Sequence, residues 1–154
     1  MLGYIDKIRK ISKKILKDKR VDLIIGFKKG TVPMINEPCF INKEEDVNQI
    51  IWDANCGINL SNYLTDRKEK IAIIAKGCDS RNIVNHIIEN KIKREQLFII
   101  GVPCKGMIDK NKISSIFNEE ILEVQEEEDK LIIKGKNNKK TRFLSEKLSD
   151  MHST

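Results

Sequence analysis

The sequence has few aromatic residues and no long apolar run. Phe, Trp and Tyr make up only 5% of the 154 residues, so isoleucine, leucine and valine must fill most of a core. No stretch approaches the roughly 20 apolar residues of a transmembrane helix. Residues 1–7 also lack the apolar region of a signal peptide. These absences predict a cytoplasmic protein that has no membrane partner.

The basic residues are spread out and are not interleaved with aromatic residues. The chain has 29 Lys and Arg against 23 Asp and Glu, which gives a formal net charge of +6. Such a balance can favour nucleic acid, but a base-stacking surface needs aromatic side chains that are missing here. We therefore expect no nucleic-acid partner. The lysines of the first predicted helix form either a docking patch or, more commonly for a charge run, a solvated face: Lys7, Lys10, Lys13, Lys14 and Lys17.

None of the four cysteines belongs to a Cys-x-x-Cys pair. Cytoplasmic thiols stay reduced, so structural disulfides are not expected. Without paired spacing, the usual local signature of zinc, cluster or thioredoxin sites is missing, and free cysteines often pack as small apolar side chains. Spacing alone therefore favours structural cysteines and leaves a zinc or iron–sulfur site open. No catalytic residue is predicted, because neither His86 nor His152 has a suitable partner.

The middle of the chain predicts a strand, a helix and a second strand. Residues 70–75 and 96–102 contain continuous apolar runs, which are typical of strands buried on both faces. Asp79 or Ser80 is a suitable N-cap for the helix between them. The residues predicted to form the inward stripe of this helix are Ile83, Val84, Ile87 and Ile88.

The remaining patterns complete an α/β fold class, with a mainly parallel central sheet, flanking helices and a C-terminal β-hairpin. Residues 21–27 predict a further strand, and residues 121–125 and 130–134 predict the hairpin. The first helix is predicted from an apolar stripe: Ile5, Ile8, Ile11, Ile15 and Leu16. We expect a single domain over residues 1–135 and a polar tail over residues 136–154.

Two cysteines follow the two central strands at the edge where open α/β sheets form their sites. Cys78 follows the first strand and Cys104 follows the second, and the carboxyl ends of neighbouring parallel strands lie close together. Cys78 also comes at the start of a helix, and Lys76, Arg81 and Lys105 are near in sequence. Positive charge and a helix N-terminus favour the reactive thiolate form. The sequence therefore predicts a site at this edge.

Four segments carry a family resemblance: residues 21–26, residues 55–60, residues 75–81 with Lys76-Gly77-Cys78-Asp79, and residues 100–109 with Gly101-Val102-Pro103-Cys104. In this order they resemble the N-terminal region of the iron–sulfur oxidoreductases of anaerobes that are related to the coenzyme F-420 hydrogenase/dehydrogenase beta subunit. The resemblance covers about Ile11 to Lys134, and the two quoted cysteine motifs together are its most specific part.

The resemblance implies electron transfer with an iron–sulfur cluster of the 4Fe-4S type, together with a flavin or a deazaflavin. It makes Cys56, Cys78 and Cys104 the expected metal ligands, with Cys39 as the fourth. Spacing alone favoured structural cysteines, whereas the resemblance favours functional ones. It also implies cofactor contacts around the two strand ends. The residues expected to make them are Lys76, Gly77, Asp79, Ser80, Arg81 and Lys105.

The chain departs from the family pattern at its C-terminal end. In the family a cysteine-rich cluster segment follows, whereas no cysteine follows Cys104 here. We therefore expect an oxidoreductase subunit or fragment, not a complete enzyme, whose partners are other redox subunits or a second copy. The alternative is a non-catalytic interaction domain that has structural or reactive cysteines and docks on a redox partner.

Overall fold

The computed structural model describes residues 2–104, 106–116, 120–127, 130–136, 140–144 and 152–153. The helices are α1 (Leu2–Lys17), α2 (Gly77–Ile88) and α3 (Lys110–Ile116). The strands are β1 (Leu23–Lys28), β2 (Glu37–Ile41), β3 (Ile71–Ala75), β4 (Leu97–Gly101), β5 (Met107–Ile108), β6 (Ile121–Glu127), β7 (Lys130–Gly135), β8 (Lys140–Leu144) and β9 (His152–Ser153). Short 3₁₀-helices span Glu44–Gln49, Leu60–Leu64 and Arg94–Gln96.

The central sheet has four strands in the order β2-β1-β3-β4. Strands β1, β3 and β4 run parallel, and β2 pairs antiparallel with β1 at the edge. All five residues of β3 are buried, as its continuous apolar sequence predicts. α1 packs against the Glu44–Gln49 3₁₀-helix, and α2 packs against β3 and the Leu60–Leu64 3₁₀-helix. The predicted fold class, a mainly parallel sheet flanked by helices with a C-terminal hairpin, is confirmed.

The other strand of the βαβ unit, β4, differs from the sequence prediction. The apolar run predicts burial on both faces, but β4 lies at the edge of the sheet and Ile99 is 37% exposed. An apolar run predicts a strand without charged residues, but it does not predict whether the strand has a neighbouring strand on one side or on both. The prediction of a fully buried β4 is therefore wrong.

The inward face of α1 includes a polar residue that the apolar stripe did not predict. Ile8 and Ile15 are buried as expected, and Ser12 lies between them at helical spacing with no exposed surface. Ile11 is 42% exposed, so its predicted place in the stripe is wrong. After the helix ends, Lys19 takes a left-handed conformation with φ of 52°.

A second, antiparallel sheet has the order β6-β7-β8. Its first two strands confirm the predicted hairpin, whereas β8 and β9 fall where the sequence predicted only a polar tail. β9 pairs with β5 near the end of the chain. The division into a domain and a tail stays a prediction. A second apolar cluster holds this region together: Ile113, Ile121, Val124, Leu131 and Ile133.

Within the ranges given above, no helix is both long enough and apolar enough to cross a bilayer.

Candidate functional site at the carboxyl edge of the sheet

The carboxyl ends of β3 and β4 lie side by side. Ala75 pairs with Gly101 at the last position of the ladder, and the Val102 N–H donates to the Ala75 carbonyl at 3.0 Å. Cys78 follows Ala75 in the first turn of α2, and Cys104 follows Gly101 in the next loop. Both cysteines are exposed. The structure therefore has two solvent-accessible thiols on the segments that leave neighbouring strand ends.

Lys76 and Asp79 form a buried ion pair beneath this edge. The Lys76 Nζ and Asp79 Oδ2 atoms are 3.1 Å apart, and the two side chains are 2% and 0% exposed. Lys76 Nζ also donates to the carbonyls of Cys56 and Ile58, each at 3.1 Å. The ammonium group thus has three oxygen partners and no donor left over, so it fixes the start of α2 to the Cys56–Ile58 loop.

The ring faces of two aromatic residues complete the surroundings of this ammonium group. Lys76 Nζ lies 5.2 Å from the ring centroid of Phe27 and 5.9 Å from that of Trp52. These distances suit cation–π attraction, which strengthens when the cation is removed from water. The predicted cofactor contacts through Lys76 and Asp79 stay a prediction, but both side chains are occupied by protein groups.

The N-cap of α2 lies three residues before Asp79 and four before Ser80, the two predicted N-cap positions. Its N-cap is Lys76, whose backbone N–H donates to Asp79 Oδ2 at 2.9 Å. Asp79 is therefore the third residue of the helix and not its cap, because its carboxylate reaches back to the cap residue from there. Ser80 also lies inside the helix, where its hydroxyl donates to the Lys76 carbonyl at 3.1 Å.

The other predicted contacts at this edge are more open. Gly77 and Arg81 are exposed, and an added Cβ at Gly77 would meet nothing within 4 Å. Ser80 is half-buried. Lys105 lies outside the described residues. Gly77, Ser80 and Arg81 are thus the predicted contact residues whose surfaces reach solvent beside Cys78.

Cys56 lies inside a small polar cluster. Its Sγ accepts from Asn36 Nδ2 at 3.3 Å and from the Asp53 N–H at 3.5 Å. Asn36 Nδ2 also donates to Asp53 Oδ1 at 2.7 Å. Burial, and to a smaller extent the nearby Asp53 carboxylate, raise the pKa of the Cys56 thiol to about 12. Cys56 is therefore a protonated thiol at neutral pH.

Cys39 is also buried, on β2 opposite Gly26 of β1. Burial raises the pKa of its thiol to about 11, and the backbone N–H of Gly26 offsets only part of this effect. Like Cys56, it is a buried and protonated thiol at neutral pH.

The four cysteines do not form one donor set. Across the parts of the chain that the structure describes, no group of three or more His, Cys, Asp or Glu side chains is arranged to hold a metal ion. Metal ligands must be deprotonated, and burial opposes this at Cys39 and Cys56. Cys78 and Cys104 are the two thiols open to solvent, whereas a metal ion at Cys39 or Cys56 would have to displace a proton from a buried thiol.

A cleft opens beside Cys104. It is lined by residues from α1, from the loop before Cys56 and from the loop after β4: Tyr4, Trp52, Asp53, Ala54, Pro103, Cys104, Gly106 and Met107. Two aromatic rings and a methionine give it an apolar wall, and Asp53 adds a carboxylate. Such a mixture of apolar walls and few polar groups is typical of small-molecule sites.

Sequence reasoning found part of this neighbourhood. Asp53 is a polar residue three positions before Cys56 in the sequence, whereas Tyr4 and Asn36 carry no local signal and reach the site only through the tertiary fold. The sequence around an asparagine in a loop does not show whether its side chain is buried or which groups it bonds.

Taken together, the fold and site define an α/β domain with accessible thiols at the carboxyl edge of a parallel sheet. No family model matches the chain. The chain is 30% identical to the F420-dependent formate dehydrogenase subunit beta of Methanocaldococcus jannaschii over 101 residues. It is 32% identical to the F420-dependent formate dehydrogenase 1 subunit beta of Methanococcus maripaludis over 101 residues. These matches confirm the resemblance to the beta subunits of F420 hydrogenases and dehydrogenases.

The match covers 62% of this chain but only 26% of each of these relatives. The fold is also similar to a chain in the F420-reducing [NiFe] hydrogenase complex from Methanosarcina barkeri, studied by xenon derivatization. That similarity has a TM-score of 0.64 at 12% identity, and it covers 90% of this chain and 53% of the other. It therefore supports the fold and not a shared activity.

Proposed function

We propose that this chain is a module of an F420-linked oxidoreductase and takes part in electron transfer together with other redox subunits. The similarity to two F420-dependent formate dehydrogenase beta subunits carries this proposal. The chain corresponds to about a quarter of their length, so we assign it one part of an electron path and not a complete reaction.

We place the working surface at the carboxyl edge of the parallel sheet. Cys78 and Cys104 supply thiols that reach solvent there, and the cleft beside Cys104 includes the exposed side chain of Tyr4, against which a planar ring can pack. A flavin or deazaflavin at this edge would supply hydride chemistry, and an iron–sulfur cluster would supply one-electron transfer. The chain's own part is to position the thiols and to exclude water with Trp52 and Met107.

Cys78 and Cys104 are the ligands that we assign to an iron–sulfur cluster of the 4Fe-4S type. Cys39 and Cys56, expected as ligands from the resemblance, are buried and protonated, so we leave them out of the donor set. A cluster of this kind needs further thiolate ligands; no cysteine lies outside the described residues, so we assign these ligands to a partner chain.

Anaerobic purification followed by iron, sulfide and zinc analysis tests this assignment. We expect iron and sulfide in the wild-type protein, with loss of both in Cys78→Ser and Cys104→Ser. Cys39→Ala is the matched control, because it removes a buried thiol and should keep the iron content. A colourless, iron-free protein after anaerobic reconstitution with iron and sulfide would refute the cluster, and zinc in its place would assign a structural metal.

The alternative is an interaction domain without a cofactor, and one observation favours it. α1 has lysines on its exposed face, and within the described residues none of them pairs with a carboxylate: Lys7, Lys10, Lys13, Lys14 and Lys17. Such a surface suits an acidic redox partner. If Lys10→Glu releases the chain from its native complex while Cys78→Ser does not, the interaction domain is the better description.

A further inference from the structure

Strand β4 has backbone groups that no other part of the described chain satisfies. The Val102 N–H points towards β3, where it donates to the Ala75 carbonyl at 3.0 Å. In a parallel pair, alternate residues turn both backbone groups to the same side, so Ile99 and Gly101 direct theirs away from β3. Among the described residues, no hydrogen bond reaches the outward groups of Ile99 or Gly101.

The part of β4 whose outward backbone groups are unpaired among the described residues is called the free segment here, and it has defined ends. At its start, the Leu97 N–H donates to the Arg94 carbonyl, and the Leu97 carbonyl accepts from Arg94 Nη1 at 2.9 Å. At its end, Pro103 has no N–H to offer. The groups available for pairing are therefore those of Ile99 and Gly101.

The two edges of the sheet differ in protection. β2, at one edge, contains Glu37 and Pro38, and charge and proline are the usual means by which proteins prevent edge-to-edge pairing. β4, at the other edge, has the sequence Leu97 to Gly101 without a charge or a proline, and its register with β3 has no bulge. An edge of this kind selects a partner edge that is equally apolar and uncharged. Of the two edges of this sheet, only β4 itself meets that description.

Side-chain burial also ends at β4. Ile25, Ile73 and Ile99 lie in one row across the sheet through the strand registers. The first two are fully buried, whereas Ile99 is 37% exposed. Gly101 lies two residues after Ile99 and therefore on the same face of the sheet. An added Cβ at Gly101 would meet nothing within 4 Å, so there is open space beside the exposed Ile99 side chain.

We propose that two copies of this chain pair antiparallel through β4, about a two-fold axis at Ile100. This register sets Ile99 of each copy opposite Gly101 of the other, and each such pair exchanges both of its backbone hydrogen bonds. All outward groups of the free segment are then satisfied. The open space at Gly101 receives the exposed Ile99 side chain of the other copy, and the two sheets become one.

Sedimentation velocity of the full chain, in the presence of a thiol reductant and over a wide concentration range, tests this pairing. We expect a species of twice the 17.8 kDa chain mass. Ile99→Lys places like charges close together across the two-fold axis and should weaken association at least about tenfold. Ile99→Pro removes only an outward N–H, keeps the pairing with β3 and should give a monomer.

Leu122→Lys is the matched control, since Leu122 is a 46% exposed apolar residue on β6, away from this edge. It should leave the dimer intact, and far-ultraviolet circular dichroism should show that every variant is folded. A wild-type monomer at all concentrations would overturn the pairing. So would a dimer that both Ile99 variants retain, or one that disappears on reduction, because the copies would then be joined elsewhere or by a disulfide. None of these outcomes depends on the proposed redox function.

Discussion

Replacing Lys76 with methionine removes the cation at the centre of the buried network below the carboxyl edge. Methionine keeps the length and the apolar stem of the side chain, so the change isolates the ammonium group. The carboxylate of Asp79 would then stay in the core at 0% exposure without its ion-pair partner. The carbonyls of Cys56 and Ile58 would lose their donor at the same time.

The expected loss of stability is large for a single substitution. Removing one partner of a buried ion pair costs about 3–5 kcal/mol, chiefly because the remaining charge is left in a medium of low polarity. The Asp79 carboxylate keeps the bond from the backbone N–H of Lys76 and a weaker one from Cys78 Sγ at 4.0 Å, which favours the lower part of this range. For a domain of this size, about 2–4 °C of melting temperature per kcal/mol predicts a decrease of roughly 6–20 °C.

Urea unfolding followed by tryptophan fluorescence measures this loss directly. Trp52 is the only tryptophan, and its ring is 5.9 Å from the Lys76 ammonium group, so circular dichroism should be recorded in parallel as an independent signal. Lys91→Met is the matched control, since Lys91 pairs with Glu89 at the surface, where such pairs contribute about 0–1 kcal/mol. If Lys76→Met and Lys91→Met unfold at similar urea concentrations, the buried network does not stabilise the fold as described.

Three further outcomes are expected. Brief alkylation of the native protein at pH 8 should modify Cys78 and Cys104 and spare the two buried cysteines, as peptide mass spectrometry would show; early labelling of a buried thiol would contradict the described burial. The pKa of Cys56 is raised to about 12 in the folded state from about 8.5 in an unfolded chain, so its contribution to stability is complete below about pH 8.5 and is lost as the pH rises towards 12. Cys56→Ala should therefore flatten the alkaline decline in unfolding free energy. Gly30→Ala should destabilise by about 1–3 kcal/mol, because the new Cβ would lie 2.0 Å from the Ile35 carbonyl oxygen, whereas Gly77→Ala, with open space, should be neutral or slightly stabilising in thermal unfolding.

The sequence predicted the central βαβ unit because its signal is local. Five consecutive apolar residues make β3, and apolar residues at helical spacing indicate α2. The predicted inward stripe of α2 is only partly right, because Ile83 is buried whereas Val84 is 53% and Ile88 71% exposed. The edge position of β4 could not be predicted in this way, because the number of strands beside it is a property of the whole sheet. For the same reason the exposure of Ile99 carried no sequence signal.

The sequence predicted where the candidate site lies but not the buried contacts beneath it. The positions of Cys78 and Cys104 could be predicted because a residue that directly follows a buried parallel strand lies at the carboxyl edge of the sheet. Lys76 was interpreted as a charge that acts on a nearby thiol, yet it is buried against Asp79 and two backbone carbonyls. Its partners come from the Cys56–Ile58 loop, 18 to 20 residues away, and no local pattern indicates that contact.

The second apolar cluster, around Ile113 and Leu131, has a consequence for hydrogen exchange. It is separate from the main core, and polar contacts from Asn55 to the Val124 carbonyl at 3.3 Å and from the Ile108 N–H to the Ala54 carbonyl at 2.9 Å help to join the two. Regions with their own small core open at lower free energy than the central sheet. Amide protons of β6 and β7 should therefore exchange before those of β3. Because Ala54 also lines the cleft, each such opening would loosen one of its walls, so a molecule that binds there should slow exchange in the distant hairpin.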